Sequence, residues 1–271
     1  MDMSTPSLDV TDVTGPCSGV KRFLLALAAI SSVTAPAASQ NPPELDSFVT
    51  AVMREFKVPG VAVSIVKDGQ VVVARGYGVR SIDQPARVDE HTRFGIASNT
   101  KLFTATALAM LAEQGKLALD SPVIRYLPWF QMSDPEVTRQ ITVRDLLVHR
   151  SGLGLGAGDL LWWPQTSFSR TDLVRRLRYV RLAKPFRKEY AYDNVLYTVA
   201  GEVIQAVSSN VWEQFVDQEI LRRIGMSDSR LQHSNAADSG NVARTHGIVD
   251  GAVRRITQMT GNNTNPAGGI N

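Results

Sequence analysis

The stretch that decides the fold reads Phe94-Gly95-Ile96-Ala97-Ser98-Asn99-Thr100-Lys101-Leu102-Phe103-Thr104-Ala105-Thr106-Ala107-Leu108. A Ser is followed three residues later by a Lys, and an apolar run then lasts until Gly115. Ser98 or Asn99 is expected to cap a new helix there, and Gly115 is expected to stop it. Positions i and i+3 share one helix face, so the Ser98 hydroxyl and the Lys101 amine can meet. The helix is apolar nearly all round beyond them, which predicts burial. Burial penalises the charged ammonium and favours an amine that takes a proton from the Ser hydroxyl. The spacing alone is weak, because Ser18-Gly19-Val20-Lys21 repeats it with nothing catalytic around it.

Working outward, 271 residues suit one large domain or two small ones with a sizeable core. Hydrophobic content of 44% and charged content of 20% lie in the globular range. A formal charge of +3 gives no reason to expect nucleic acid as a partner. In Arg175-Arg176-Leu177-Arg178-Tyr179-Val180-Arg181 the apolar positions fall at helical spacing with Leu173, so the arginines read as a solvated face. A single cysteine, Cys17, excludes an internal disulfide framework and Cys-based metal sites. The four histidines show no metal-binding spacing, and no metal or organic cofactor is expected.

At the N-terminus, Lys21-Arg22 precede Phe23-Leu24-Leu25-Ala26-Leu27-Ala28-Ala29-Ile30 and a small-residue segment ending Ala35-Pro36-Ala37-Ala38-Ser39. This order reads as a secretory signal peptide with cleavage after Ala37 or Ser39, which would remove Cys17. The other reading is an uncleaved apolar anchor, although the run is too short to span a bilayer. The long segment ahead of Lys21 suggests that translation starts near Val20. Residues 1–39 are thus expected to be an extension plus signal peptide and 40–271 the folded domain, exported to the periplasm or the exterior. No stable membrane span is expected after cleavage.

Within 40–271, Leu45, Phe48, Val49, Val52 and Phe56 follow helical spacing after Pro42-Pro43. Val61–Val66 and Gln70–Gly76 predict two strands joined at Asp68-Gly69, a strong hairpin signal. Their nearly continuous apolar character predicts a sheet covered on both faces. Residues 81–92 read as a polar connection. Short helices are expected after Pro122 and after Thr142, and longer ones at about 171–182, 194–208 and 211–224, the last stopped by Gly225. A Gly- and Trp-containing loop at 153–169 includes Trp162-Trp163, which either shape a substrate mouth or pack. The final segment reads as polar.

A nucleophilic Ser with a Lys needs a further proton-transfer group and a substrate-holding group. Tyr190-Ala191-Tyr192-Asp193-Asn194, just ahead of the helix beginning at Asn194, contains both. A nearby cationic Lys favours a Tyr192 phenolate, and the Asn194 amide bonds polar groups at both its ends.

With these residues on view, the chain resembles the β-lactamase-related serine hydrolases: class C β-lactamases, low-molecular-weight penicillin-binding proteins, and the D,D-peptidases and esterases akin to them. The likeness covers roughly residues 42–271. It rests on Ser98-x-x-Lys101, on Tyr192-x-Asn194, and on Pro59-Gly60-Val61 through Asp68-Gly69. Further landmarks are Leu119-Asp120-Ser121-Pro122-Val123, Tyr126-Leu127-Pro128, Leu146-Leu147-Val148-His149-Arg150-Ser151-Gly152-Leu153, Gly225-Met226-Ser227-Asp228-Ser229 and Pro266-Ala267-Gly268-Gly269. The resemblance implies an α/β fold with an all-helical subdomain, in which an antiparallel sheet is flanked by helices. The hairpin region 42–80 would lead into a helical region at 94–230.

By the same resemblance, Ser98 would be the acylated nucleophile, and Lys101 would accept its proton alone or with Tyr192. Tyr192 would pass the proton on to the leaving group, Asn194 would bind a polar group of the substrate, and the Ser98 N–H would be one oxyanion donor. His149 would be structural, orienting the turn at Ser151-Gly152. The family's third motif, Lys/His-Thr/Ser-Gly, follows its Ala-Gly-Gly landmark. Thr245-His246-Gly247 precedes that landmark and reads as a surface segment, so residues 231–271 are expected to be a truncated end and the fold incomplete there. The implied substrate is a small molecule or peptide with a peptide, β-lactam or ester carbonyl. Rival readings are a D,D-carboxypeptidase or D-amino-acid peptidase specifically, and a non-hydrolytic binding or sensor protein.

Overall fold

A computed structural model of the chain describes residues 44–231, 240–259 and 261–271. The signal segment expected at 21–39 and Cys17 lie outside the described residues.

Helix α1 (Leu45–Glu55) leads into β1 (Gly60–Lys67), β2 (Gln70–Ser81) and β3 (Gln84–Arg87), an antiparallel sheet in that order. Asp68 and Gly69 have φ of 51° and 74°, the left-handed pair that a two-residue hairpin loop requires. The β1–β2 register runs from Lys67↔Gln70 to Gly60↔Gly78, with a bulge at Ile65/Val66. Covering of both faces is not observed among the described residues: Val66 and Val71 are 62% and 64% exposed, and Phe48 of α1 and Phe56 just past it are 65% and 69% exposed. An unbroken apolar run records the absence of polar side chains, and does not by itself supply a packing layer. The 81–92 connection contains β3, and the final segment, expected to be merely polar, contains a second hairpin, β4 (His246–Val249) with β5 (Ala252–Arg255). It turns at Asp250-Gly251, both left-handed. This hairpin joins the chain ahead of the Ser98 region where Arg93 donates to the Asn241 carbonyl and accepts from Ala243 N–H.

Ser98 sits on the 3₁₀ turn Ala97–Asn99, from which α2 (Thr100–Glu113) rises. The expected capping is not observed. Asn99 Nδ2 donates back to the Ile96 carbonyl at 3.1 Å, and the Ser98 hydroxyl faces Lys101 and Tyr192. Gly115 does end the helix, with φ of 69°. Burial of α2 is one-sided: Lys101, Thr104, Ala107, Leu108 and Leu111 are buried, whereas Leu102 is 68% exposed.

The remaining helices build a bundle around α2. They are α3 (Pro135–Gln140), α4 (Arg170–Arg176), α5 (Val195–Ser208), α6 (Trp212–Val216) and α7 (Asn265–Gly268). A π-helical turn, Asp217–Leu221, continues α6 to the Gly225 stop. The helices expected after Pro122 and Thr142 are single 3₁₀ turns, Val123–Arg125 and Arg144–Leu146. Ser169 caps α4 through a reciprocal pair with Asp172, a capping box that fixes where the helix starts. Leu108 and Leu111 of α2, Val199, Val203 and Ile204 of α5, Phe130, Leu146 and Trp212 form the fully buried centre. Trp212 is satisfied there because its indole N–H donates to Thr104 Oγ1 at 2.9 Å.

The C-terminal α7 lies between α2 and α5. Thr104 donates to the Pro266 carbonyl at 2.7 Å, and Ile270 N–H donates to Thr100 Oγ1 at 3.2 Å. Arg170, paired with Glu213, also bonds the Asn262 and Asn263 carbonyls, and Asn265 Nδ2 donates to Glu213 at 2.7 Å. Gly201 of α5 makes room for this contact, since a Cβ there would overlap the Pro266 ring and lie 3.1 Å from its Cβ. Gly201→Ala gains roughly 1 kcal/mol of helix propensity, but overpacking costs about 1–3 kcal/mol. The expected outcome is a lower unfolding midpoint together with slower acylation, because α7 carries a carbonyl of the site described next. Denaturant titration and labelling kinetics on the same variant check both.

Candidate active site

Two local features present the nucleophile. Ala97 holds a left-handed φ of 45°, an uncommon conformation for a residue with a Cβ, immediately ahead of the exposed Ser98. The following helical turn brings Lys101 under it, buried to 7% exposure. Across the cleft, Asn194 is the residue from which α5 starts, and Tyr192 reaches in from the segment just before it.

The four residues expected from the sequence meet at one point. Ser98 Oγ accepts from Lys101 Nζ at 3.1 Å and from the Tyr192 hydroxyl at 2.7 Å. Lys101 Nζ also donates to Asn194 Oδ1 at 2.9 Å and to the Ala267 carbonyl at 2.8 Å. Nζ thus faces three oxygens, two that only accept and the Ser98 hydroxyl, which both donates and accepts. Lys101 Nζ also stands 5.0 Å from the Tyr192 ring centre and 5.2 Å from that of Tyr197.

The two tyrosines have different surroundings. Burial, with Tyr192, Asp193 and Tyr190 nearby, pushes the Tyr197 phenol up to about 12. Its hydroxyl donates to the Leu147 carbonyl at 3.0 Å, which fixes it as a neutral wall. Tyr192 instead points its oxygen at Ser98. His149, with a left-handed φ of 56°, lies behind it with ring centres 4.4 Å apart, and its Nδ1 accepts from the Asp193 N–H at 3.3 Å. His149 therefore supports the Tyr192 ring as well as the turn.

A cavity of about 250 Å³ opens over Ser98, bounded by Trp162, Asn194, Met259, Thr264 and Gly268. Trp162 lines it, while Trp163 is 55% exposed. Thr245-His246-Gly247 does not line this cavity; Thr245 is exposed, and His246 and Gly247 begin β4. Three participants went unnoticed in the sequence. The Ala267 carbonyl is a backbone atom and carries no sequence signal as a ligand of Lys101. Asp159, whose carboxylate accepts from Asn194 Nδ2 at 3.3 Å, lies in a loop read only for its Gly and Trp content. The contact of His149 with the Tyr192 ring is tertiary. No cluster of three or more metal-ligating side chains occurs among the described residues, and no described helix is long and apolar enough to cross a membrane.

The family model described as Beta-lactamase matches residues 45–271. Protein flp of Staphylococcus aureus (strain MW2) is 26% identical over 197 residues, which cover 73% of this chain and 40% of that protein. Unguisins hydrolase ungD of Aspergillus violaceofuscus (strain CBS 115571) is 29% identical over 210 residues, covering 74% of this chain and 36% of that protein. The chain thus spans about two fifths of the length of the curated relatives it matches. Among solved structures, the octameric penicillin-binding protein homologue from Pyrococcus abyssi superposes with a TM-score of 0.70 at 28% identity, covering 84% of this chain and 52% of that one. With the family model matching residues 45–271 of the chain and the fold shared, the chain belongs to the β-lactamase-related family of serine hydrolases.

Proposed function

We propose that this protein hydrolyses a small-molecule or peptide substrate at a peptide, β-lactam or ester carbonyl, through an acyl-enzyme on Ser98. The observation that carries the reading is the single Ser98 oxygen lying 2.7 Å from the Tyr192 phenol and 3.1 Å from the Lys101 amine. In this mechanism Lys101 supplies the positive charge beside Tyr192, and Tyr192 serves as the base. The Ser98 O–H then donates across the 2.7 Å contact, and Tyr192 takes the proton as Oγ attacks the carbonyl. The Ser98 N–H faces the oxyanion, and Tyr192 returns the proton to the departing amine or alkoxide. Water enters by the reverse sequence and frees Ser98. Asn194, at the cavity wall, holds a polar group of the substrate.

The names of two relatives support this reading, one a hydrolase of unguisins and one a penicillin-binding protein homologue. Export to the periplasm or exterior belongs to the proposal and is supported by the residue order Lys21 to Ser39. The test mixes the protein with a p-nitrophenyl ester, a chromogenic cephalosporin and a peptide ending in D-Ala-D-Ala. At least one is expected to give a burst of one product per protein followed by turnover, and Ser98→Ala to give none. A burst that stalls points instead to a binding or sensor protein. Equal product release by Ser98→Ala contradicts the proposal.

A further inference from the structure

One carboxylate touches two walls of the cavity and has no part in the chemistry above. Asp159 opens the 3₁₀ turn Asp159–Leu161, delivered there by Gly156 and Gly158 with left-handed φ of 67° and 86°. It is half-buried, and burial raises its carboxyl above the usual range. Both its oxygens accept from Asn194 Nδ2 at 3.3 Å, and Oδ1 accepts from the Trp162 indole N–H at 3.3 Å.

An Asn amide has one accepting end and one donating end. On one side of Asn194 stands the Lys101 ammonium, 2.9 Å from Oδ1, and on the other the Asp159 carboxylate. Opposite charges on its two sides admit one orientation. Turning the amide over would set NH₂ against ammonium and oxygen against carboxylate, two repulsions in place of two attractions. Bonds of 3.3 Å are long, so the selection comes from charge more than from bond strength.

We infer that Asp159 is a positioning residue that locks the Asn194 amide so that its oxygen keeps the Lys101 ammonium beside Ser98. This rests on the proposed acyl-enzyme chemistry, and its influence runs from Asp159 through Asn194 and Lys101 to the nucleophile.

The readout is the second-order rate of labelling by an alkyl fluorophosphonate, which has no amide for Asn194 to bind and so reports Ser98 activation. Asp159→Ala is expected to slow labelling about tenfold, the scale of one lost hydrogen bond to a charged group. Asp159→Asn, which still accepts through its own Oδ1, is expected to recover part of that loss. In an Asn194→Ala background the loss at position 159 should vanish, because the residue it acts through is gone. A purely structural role would instead slow labelling by the same factor in both backgrounds, and that result overturns the inference. So does a wild-type rate in Asp159→Ala. Should Asp159→Ala not fold, the isosteric Asp159→Asn carries the same comparison in both backgrounds. An unlabelled wild-type protein would overturn the acyl-enzyme reading itself, whereas a labelled wild type with an indifferent Asp159 overturns only this step.

Discussion

Tyr192→Phe is expected to lower the rate of acylation by about 10²- to 10⁴-fold, the range that a positioned proton-transfer group supplies. The substitution removes one oxygen and little else. The ring keeps its place against His149, 4.4 Å between centres, and remains under Lys101 Nζ at 5.0 Å. Its hydroxyl has Ser98 Oγ as its partner at 2.7 Å, so no structural hydrogen bond elsewhere is lost with it. The neighbouring phenol cannot take over, because Tyr197 is pushed up to about 12 and donates to the Leu147 carbonyl. Single-turnover kinetics with a chromogenic ester, alongside thermal unfolding, check the outcome: a large rate loss at an unchanged melting temperature. A loss below about threefold would remove Tyr192 from the proton path.

Lys101→Met carries the second large effect. Met fills a similar volume with a flexible apolar chain, but it donates nothing to Ser98, Asn194 or Ala267. Acylation is expected to fall by about 10³-fold, because Ser98 and Tyr192 lose the amine that neighbours both. Stability is expected to change much less. Stranding a buried acceptor costs about 1–3 kcal/mol, while removing a buried ammonium relieves a desolvation penalty of several kcal/mol. These terms oppose one another, and the variant should remain folded. Lys101→Arg is not expected to rescue activity, since a planar guanidinium cannot aim donors at three acceptors converging on one point. Acylation rates and denaturant midpoints for both variants decide this. A Met variant that acylates normally would contradict the role of the charge.

What could be read from the chain follows the range of the interactions involved. Ser98 and Lys101 are one helical turn apart, so their meeting is a local consequence of spacing, and 3.1 Å is what that turn delivers. Tyr192 and Asn194 lie beside a helix start, which is a local feature. The approach of Tyr192 to Ser98 across 94 residues, and of Asn194 to Lys101 across 93, is legible only through resemblance to a family. The Asp68-Gly69 hairpin was read correctly because two left-handed residues in succession are a demand few sequences meet. The same signal stands at Asp250-Gly251, between Ile248-Val249 and Ala252-Val253, inside a segment whose polar composition hides it. β3 offered less to read, since Gln84-Pro85-Ala86-Arg87 has the composition of a connection.

The cap at Ser98 or Asn99 failed for a physical reason. A hydroxyl that serves Lys101 and Tyr192 does not also turn back to the helix N-terminus. Burial of the hairpin on both faces failed because composition does not specify a covering layer. The Ala267 carbonyl, the Asp159 carboxylate and the His149 ring act through tertiary contacts that leave no periodic trace.

The most direct test of the central claim is to treat the protein with a fluorophosphonate and map the adduct by intact mass and peptide sequencing. A single adduct on Ser98, absent from Ser98→Ala and slowed in both Tyr192→Phe and Lys101→Met, is the predicted result. A modification on another residue, or labelling of Ser98→Ala at the wild-type rate, would contradict the account.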